Sequence, residues 1–391
     1  MFRQLKWAWV ILACFIPVAN ANFSLKSPGL QPAKITQTGE TFATALNNSD
    51  VQLLKTVVDA DHLAVSVFDA VFGKKDAKSR GEFVKGFRET IYTRSFASWF
   101  TLLDRTGGLA QYKSTIEVDG RKRALIRLDL KDEGLNFLEL ILDPRTGKII
   151  DFFSYTTGQN ASDSMSSLVA LAVPNGSGLL ERIFGTRKLD KETAKAFRQI
   201  GDNNRQGKYA ESYQIVKNLP KEYQGHRIIA SLRVSFSGYV SEALYFEELE
   251  NLAREFGEEP ELALMLFDYY FLKEQFDKAM EAIELVESRV GEDSLLTSFK
   301  ATVQMSDNRQ ELALTHINRA IELEESQQDF YWIKAEIFHR SKQFADMTAL
   351  FDWMAKKFDL AFMPEFYESE PGYEDFVKSD AFAKWRQQYS Q

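Results

Sequence analysis

The stretch FDYYFLKEQFDKAMEAIELV, residues 267–286, carries aromatics on two faces and a small residue, Ala279, where two helices would have to touch. Its pattern returns at a fixed step of 34 residues: Phe276, Gln310 and Phe344 share one position, Ala279, Ala313 and Met347 a second, and Ile283, Ile317 and Phe351 a third. Within each unit apolar residues recur three and four apart and are broken by the polar turns KEQF, SDNR and SKQF, which predicts two short helices joined by a tight turn. Extending the frame backward puts Tyr245 and then Ser212 at the Ala279 position, so five helical hairpins fit into residues 191–358. No hairpin of this kind can hide its apolar faces alone, and stacking joins them into a continuous core. Pro364 and Pro371 then interrupt the pattern, and Ser379 can cap a last helix with Phe382 and Trp385 inward, so residues 359–391 read as a cap over the terminal hairpin.

With that period, with Ala279, Ala301, Ala313 and Ala335 where helices cross and Tyr270, Phe276, Phe338 and Phe344 where they fill, residues from 190 onward resemble the tetratricopeptide repeat family. Phe267 departs from the family's small residue, and Gly291, Glu325 and Asp359 stand where it closes with proline. The resemblance implies an all-α solenoid whose concave wall is the first helix of each hairpin. In that frame Asp268, Phe271, Leu272, Thr302, Met305, Trp332, Glu336, His339 and Arg340 face the groove. The plainer reading makes Phe271, Leu272 and Met305 core between repeats and the rest a wet wall. The functional reading is a groove for a protein or peptide, since an aromatic and a methionine amid separated charges suit such a ligand.

The chain's 391 residues predict more than one domain. Residues 1–21 combine a basic MFRQLK, an apolar WAWVILACFIPV and small residues up to Ala21, the pattern of a secretory signal peptide, which predicts an exported, periplasmic protein. Cys14 offers lipid attachment as a second processing route, disfavoured by the short apolar stretch before it. It is the only cysteine, so cleavage at Ala21 leaves no disulfide to form. Asn47, Asn160 and Asn175 head N-x-Ser sequons, read as chance matches in a bacterial envelope protein.

Charge is uneven. Residues 22–184 hold 20 Lys and Arg against 19 Asp and Glu, whereas residues 185–391 hold 26 against 37. An acidic second half repels phosphate backbones, so nucleic acid is not an expected partner, and no segment after the first is apolar for the roughly 20 residues a membrane span needs.

Residues 22–40 lack periodicity and predict an extended arm. From Asp50, helical spacing of Leu53, Leu54, Val57, Val58, Leu63, Val67, Phe68 and Val71 is followed by a second helical pattern around Phe83, Phe87, Ile91 and Trp99. The period then changes to two: QYKSTIEVD, RKRALIRLDL, LNFLELILD and GKIIDFFSYTT predict four strands of an antiparallel meander. In the second of these, Ala124, Ile126, Leu128 and Leu130 are expected to face a core and Arg123, Arg127 and Asp129 to face away. Residues 41–158 thus predict an α+β domain, with 159–190 as a linker in which LVALAV forms a short helix. In order and pattern the domain resembles the nuclear-transport-factor-two-like cone, with a cystatin-like arrangement as near competitor. That fold hosts isomerase-type enzymes, ligand binders and dimerisation modules alike.

An enzyme of that kind needs a buried Asp, His or Tyr in a pocket, and the candidates by composition are Asp59, Asp61, His62, Asp69 and Tyr155. Asp61 and His62 are adjacent on a helix and do not face each other. No metal-ligand spacing, phosphate loop or nucleophile elbow occurs, so no cofactor, metal or catalytic residue is expected. The sequence therefore points to a protein-binding adaptor, with a small-ligand binder or isomerase-like enzyme in 41–158 as the alternative.

Overall fold

A computed structural model of the chain describes residues 30–73, 77–131, 134–172, 179 and 189–389. The expected signal peptide, the Cys14 alternative, the Asn175 sequon and residues 173–178 and 180–188 of the expected linker lie outside them. The chain divides into two compact units, Met1–Tyr269 and Tyr270–Gln391.

The first unit begins with α1 (Pro32–Asn47), where an arm was expected. Pro32 sits in the first turn, where its missing N–H and fixed φ start a helix rather than break one. Ile35, Phe42, Ala45 and Leu46 form the buried stripe, preceded by too few apolar residues to show as a period in the sequence. Gly39 lets α1 lie close on the sheet, since a Cβ there would stand 2.5 Å from the Tyr112 ring. Both amide atoms of Asn47 bond the Ala110 backbone, at 2.9 and 2.7 Å, which occupies this sequon with a structural role.

The helical run from Asp50 is split into α2 (Val51–Val57) and α3 (Ala60–Phe72), each capped by an aspartate, Asp50 onto Leu53 N and Asp59 onto His62 N. The break lets Val58 bridge Ile149 of the sheet. Next come α4 (Ala77–Thr90), a π-helical turn (Ile91–Ser95) and α5 (Phe96–Thr106).

Strands β1 (Leu109–Val118), β2 (Arg121–Asp129), β3 (Leu135–Leu142), β4 (Ile149–Ser154) and a short β5 (Gln159–Asn160) form an antiparallel meander in sequence order, the four expected strands plus one. The pairings Ala124↔Leu140 and Ile126↔Leu138 put the expected apolar face into the core, where Phe42, Phe96, Trp99 and Phe152 meet edge to face. The opposite face was expected to be free of the core and is buried as well. Arg127 is 1% exposed and Glu139 0%, with Leu125 and Phe137 beside them. Several of its polar groups bond one another: Arg123 and the Tyr155 hydroxyl donate to Glu139 at 2.6 and 2.7 Å, and Arg127 donates to Gln111, while among the described residues Arg123 Nε and Arg127 Nε make no hydrogen bond. The Arg123–Glu139 pairing is what makes the buried carboxylate tolerable.

Within the stretch expected as a linker, α6 (Ala161–Ala172), which takes in Leu168–Ala172 of the expected LVALAV helix, follows β5 and packs on α3 and β4, held by Ser162, which donates to Asp151 from both its N and Oγ. Among the described residues there follow α7 (Lys191–Arg205), α8 (Tyr209–Lys217), α9 (Lys221–Gln224), α10 (Arg227–Ser237) and α11 (Glu242–Phe256). One core runs from Val71 and Ala170 through Phe197, Tyr213 and Ile228 to Phe236, so the first two expected hairpins share their core with the α+β elements. A buried chain of polar groups also ties four of these helices together: Tyr213 and Arg233 donate to Glu248, and Arg233 donates to Gln224.

The unit boundary falls inside α12 (Ala263–Leu272). The second unit continues with α13 (Phe276–Val290), α14 (Ser294–Ser306), α15 (Gln310–Leu323), α16 (Gln328–Arg340) and α17 (Phe344–Phe358). Here the 34-residue period is visible in the backbone. Glu274, Asn308 and Lys342 all take φ between 55 and 60°. The residues after them, Gln275, Arg309 and Gln343, each donate to the carbonyl five residues back, at 2.8 Å, as in a Schellman turn. Ala279, Ala313, Met347, Ile283, Ile317 and Phe351 are all buried.

The terminal segment forms α18 (Pro364–Ser369), α19 (Glu374–Val377) and α20 (Asp380–Tyr389). It does more than close the end, because Trp385 lies 34 residues after Phe351 and is 1% exposed. Its ring packs against Phe351, Phe362, Tyr367 and Phe376, and its Nε1 donates to Asp352 at 3.1 Å. The Phe351 position of the period thus recurs at Trp385, beyond the two prolines.

Candidate functional site

Of the residues expected to line a groove, Asp268 belongs to the first unit and the others to the second. Asp268 is buried, which pushes its carboxyl well above the usual carboxylate range, and Met305 is 3% exposed; neither is an accessible wall residue, and both are corrected to core. Phe271 is half-buried, its ring 6.2 Å from Phe276, while Leu272 is exposed. The Thr302 hydroxyl donates to Ser298 O, a local bond that leaves no donor for a ligand.

Trp332, Glu336, His339 and Arg340 do come together, on α16. Arg340 donates to Glu336 at 2.8 Å, one turn back on the helix. Trp332 is half-buried against Phe351 and Phe362, with ring centres at 6.0 and 5.7 Å. His339 stacks at 4.3 Å on Tyr373, and burial holds its imidazole below the ordinary histidine range. Tyr373 is the residue that sequence reasoning missed. It continues the series Phe271, Met305, His339 at the next step of 34, a signal masked by Pro371 and Gly372 just before it. Of the expected wall residues, Leu272 and Arg340 are exposed, and Trp332, Glu336 and His339 are half-buried.

The enzyme candidates of the first unit are spread among structural tasks. Asp59 caps α3, Asp61 forms a two-point pair with Arg88 at 2.5 Å, Asp69 binds Arg80 at 2.6 Å, and Tyr155 is held by Glu139. His62 is exposed. A half-buried carboxylate lies elsewhere, at Asp151, whose pKa desolvation raises to about 6 against the opposing bonds from Ser162 and Phe152 N. It anchors α6, and the space between helices and sheet is filled by the Phe42, Phe96, Trp99 and Phe152 cluster.

Outside that core, an open cleft of about 520 Å³ lies between α2, the start of α3, α4 and the π-helical turn. Asp59, Asp61, Arg88 and Tyr92 line it. The Tyr92 hydroxyl donates to Val58 O at 3.1 Å, and burial, with Asp59 and Asp61 nearby, pushes its pKa up to about 12.

Among the described residues no group of three or more His, Cys, Asp or Glu could hold a metal ion, and no helix is long and apolar enough to cross a membrane. Compared with protein-family models and with curated proteins, the chain matches none.

Proposed function

We propose that this protein is an exported, periplasmic adaptor whose tetratricopeptide-type repeats bind another protein or a peptide. The observation that carries the reading is the recurrence of one turn geometry at Glu274, Asn308 and Lys342, with Ala279, Ala313 and Met347 buried in phase. Helical hairpins repeated in register are an architecture built to display a long binding face rather than to enclose a reaction centre. Charge supports the choice of partner. Residues 270–391 carry 23 Asp and Glu against 14 Lys and Arg, whereas residues 1–269 carry 33 against 34, so the whole acidic excess lies in the second unit. A partner with a basic surface fits it.

The test is a cross-linking pull-down from envelope extract with the full chain and with a double variant, Leu272→Asp and Arg340→Glu, both at exposed positions. Partners retained by wild type and lost by the variant, at unchanged circular dichroism and melting temperature, support the reading. An unchanged partner set would refute this placement of the site.

A further inference from the structure

The cleft of the first unit has a chemistry distinct from that of the acidic repeats. Among the described residues its lining lysines, Lys55, Lys85 and Lys148, make no ion pair, and Lys148 is half-buried. The carboxylates around them are largely committed: Asp61 to Arg88 and Asp59 to the first turn of α3, which leaves Glu89. The cleft thus holds a surplus of positive charge in a chain of net charge −8. Its inner wall is apolar, with Val58 5% and Ala60 3% exposed beside the Tyr92 ring, over which Lys55 Nζ sits at 5.7 Å.

Two further features mark the place. A five-residue π-helical turn, Ile91–Ser95, supplies Tyr92 and Thr93 to the wall, and such turns are frequent at functional sites. The volume of about 520 Å³ falls within the range of small-molecule sites.

We infer that this cleft binds a small organic anion, a carboxylate or phosphate carrying an apolar group, with Lys85 and Lys148 meeting the charge and Val58, Ala60 and Tyr92 the apolar part. Lys55 closes the site from the Tyr92 side. Arg88 is held by Asp61 as a fixed part of the wall. The site is independent of the repeat face, so it stands or falls separately from the adaptor reading.

The experiment is calorimetric titration of the full chain with phenyl phosphate and with benzoate, using benzylamine and inorganic phosphate as controls, together with amide shift mapping. Saturable binding of an aromatic anion is expected, with shifts confined to residues 51–61, 85–93 and 148. Lys148→Gln and Lys85→Gln should each weaken it about 5- to 10-fold, and Glu89→Gln should tighten it, a gain that a folding defect cannot mimic. Benzylamine should not bind. Absence of binding by both aromatic anions at millimolar concentration would overturn the inference. So would binding indifferent to all three substitutions, or equal binding of benzylamine.

Discussion

If the terminal segment is a sixth unit of the array, Trp385 is its main tie to the fifth, and truncating it must loosen α17 as well as α20. The ring is 1% exposed and contacts Phe351, Phe362, Tyr367, Phe376 and Phe382. Burying an indole removes about 200 Å² of surface from water, worth about 5 kcal/mol at about 25 cal/mol/Å². Measured truncations of this kind fall at about 3–5 kcal/mol once the cavity relaxes. Trp385→Phe keeps most of the ring and loses the bond from Nε1 to Asp352, for about 1–2 kcal/mol. Because the chain has two compact units, one global unfolding midpoint would mix transitions, and native-state hydrogen exchange read peptide by peptide is the better assay. At about 1.4 kcal/mol per factor of ten, Trp385→Ala should speed exchange across Phe344–Phe358 by about a hundredfold or more, with α3 unchanged. Exchange in α17 within threefold of wild type would refute the coupling, and with it the sixth unit.

Other outcomes follow from single sites. Ala279→Trp, at a fully buried position, should cost about 1–3 kcal/mol or more, read as faster native-state hydrogen exchange in α13; unchanged exchange there would mean the 34-residue register is misplaced. Gly39→Val drives a side chain into Tyr112 and Ala124 and should destabilise the first unit by a similar amount of about 1–3 kcal/mol, where an exposed arm would show no effect. Asp151 has its folded pKa raised from 3.8 to about 6, so its favourable contribution is complete below pH 3.8 and is lost as pH rises through 6. Asp151→Asn should therefore gain on wild type by about 1–3 kcal/mol between pH 4.5 and 7.5 in denaturation experiments, and a flat difference would contradict the burial argument. Asp268→Asn should likewise be neutral or stabilising at neutral pH, since the native carboxyl is buried and favours its protonated form; marked destabilisation would show a charge role there.

The 34-residue period was legible in the sequence because its signal is redundant: Ala279 alone means little, but Ala313 and Met347, buried at the same step, fix a register. The four main strands were legible from alternation and turn residues. What the sequence hid was either disguised or non-local. α1 was disguised because Lys34, Thr36, Gln37 and Glu40 surround Ile35 and Thr38, and the helix shows only against the sheet that it covers. The second face of the sheet was misjudged because Arg123 and Arg127 read as facing away from any core when their bonding partners, Glu139 and Gln111 on other strands, are unknown. At the candidate sites, helical spacing placed Trp332, Glu336, His339 and Arg340 together. It gave no account of Tyr373 across a broken helix, and the cleft joins Lys148 to residues some ninety positions earlier.

The shared core of the first unit has a consequence for how the chain is made. Val71 and Ala170 complete their packing only with Phe197, Ile228 and Phe236. Ribosomes add roughly 5–20 residues per second, so a chain that has finished α6 waits several seconds more before α10 emerges. In that interval the apolar backs of α3 and α6 have no lasting partner. The nascent protein is therefore a substrate for holding chaperones until its first two hairpins arrive, and a chain stopped between α6 and α7 is expected to aggregate.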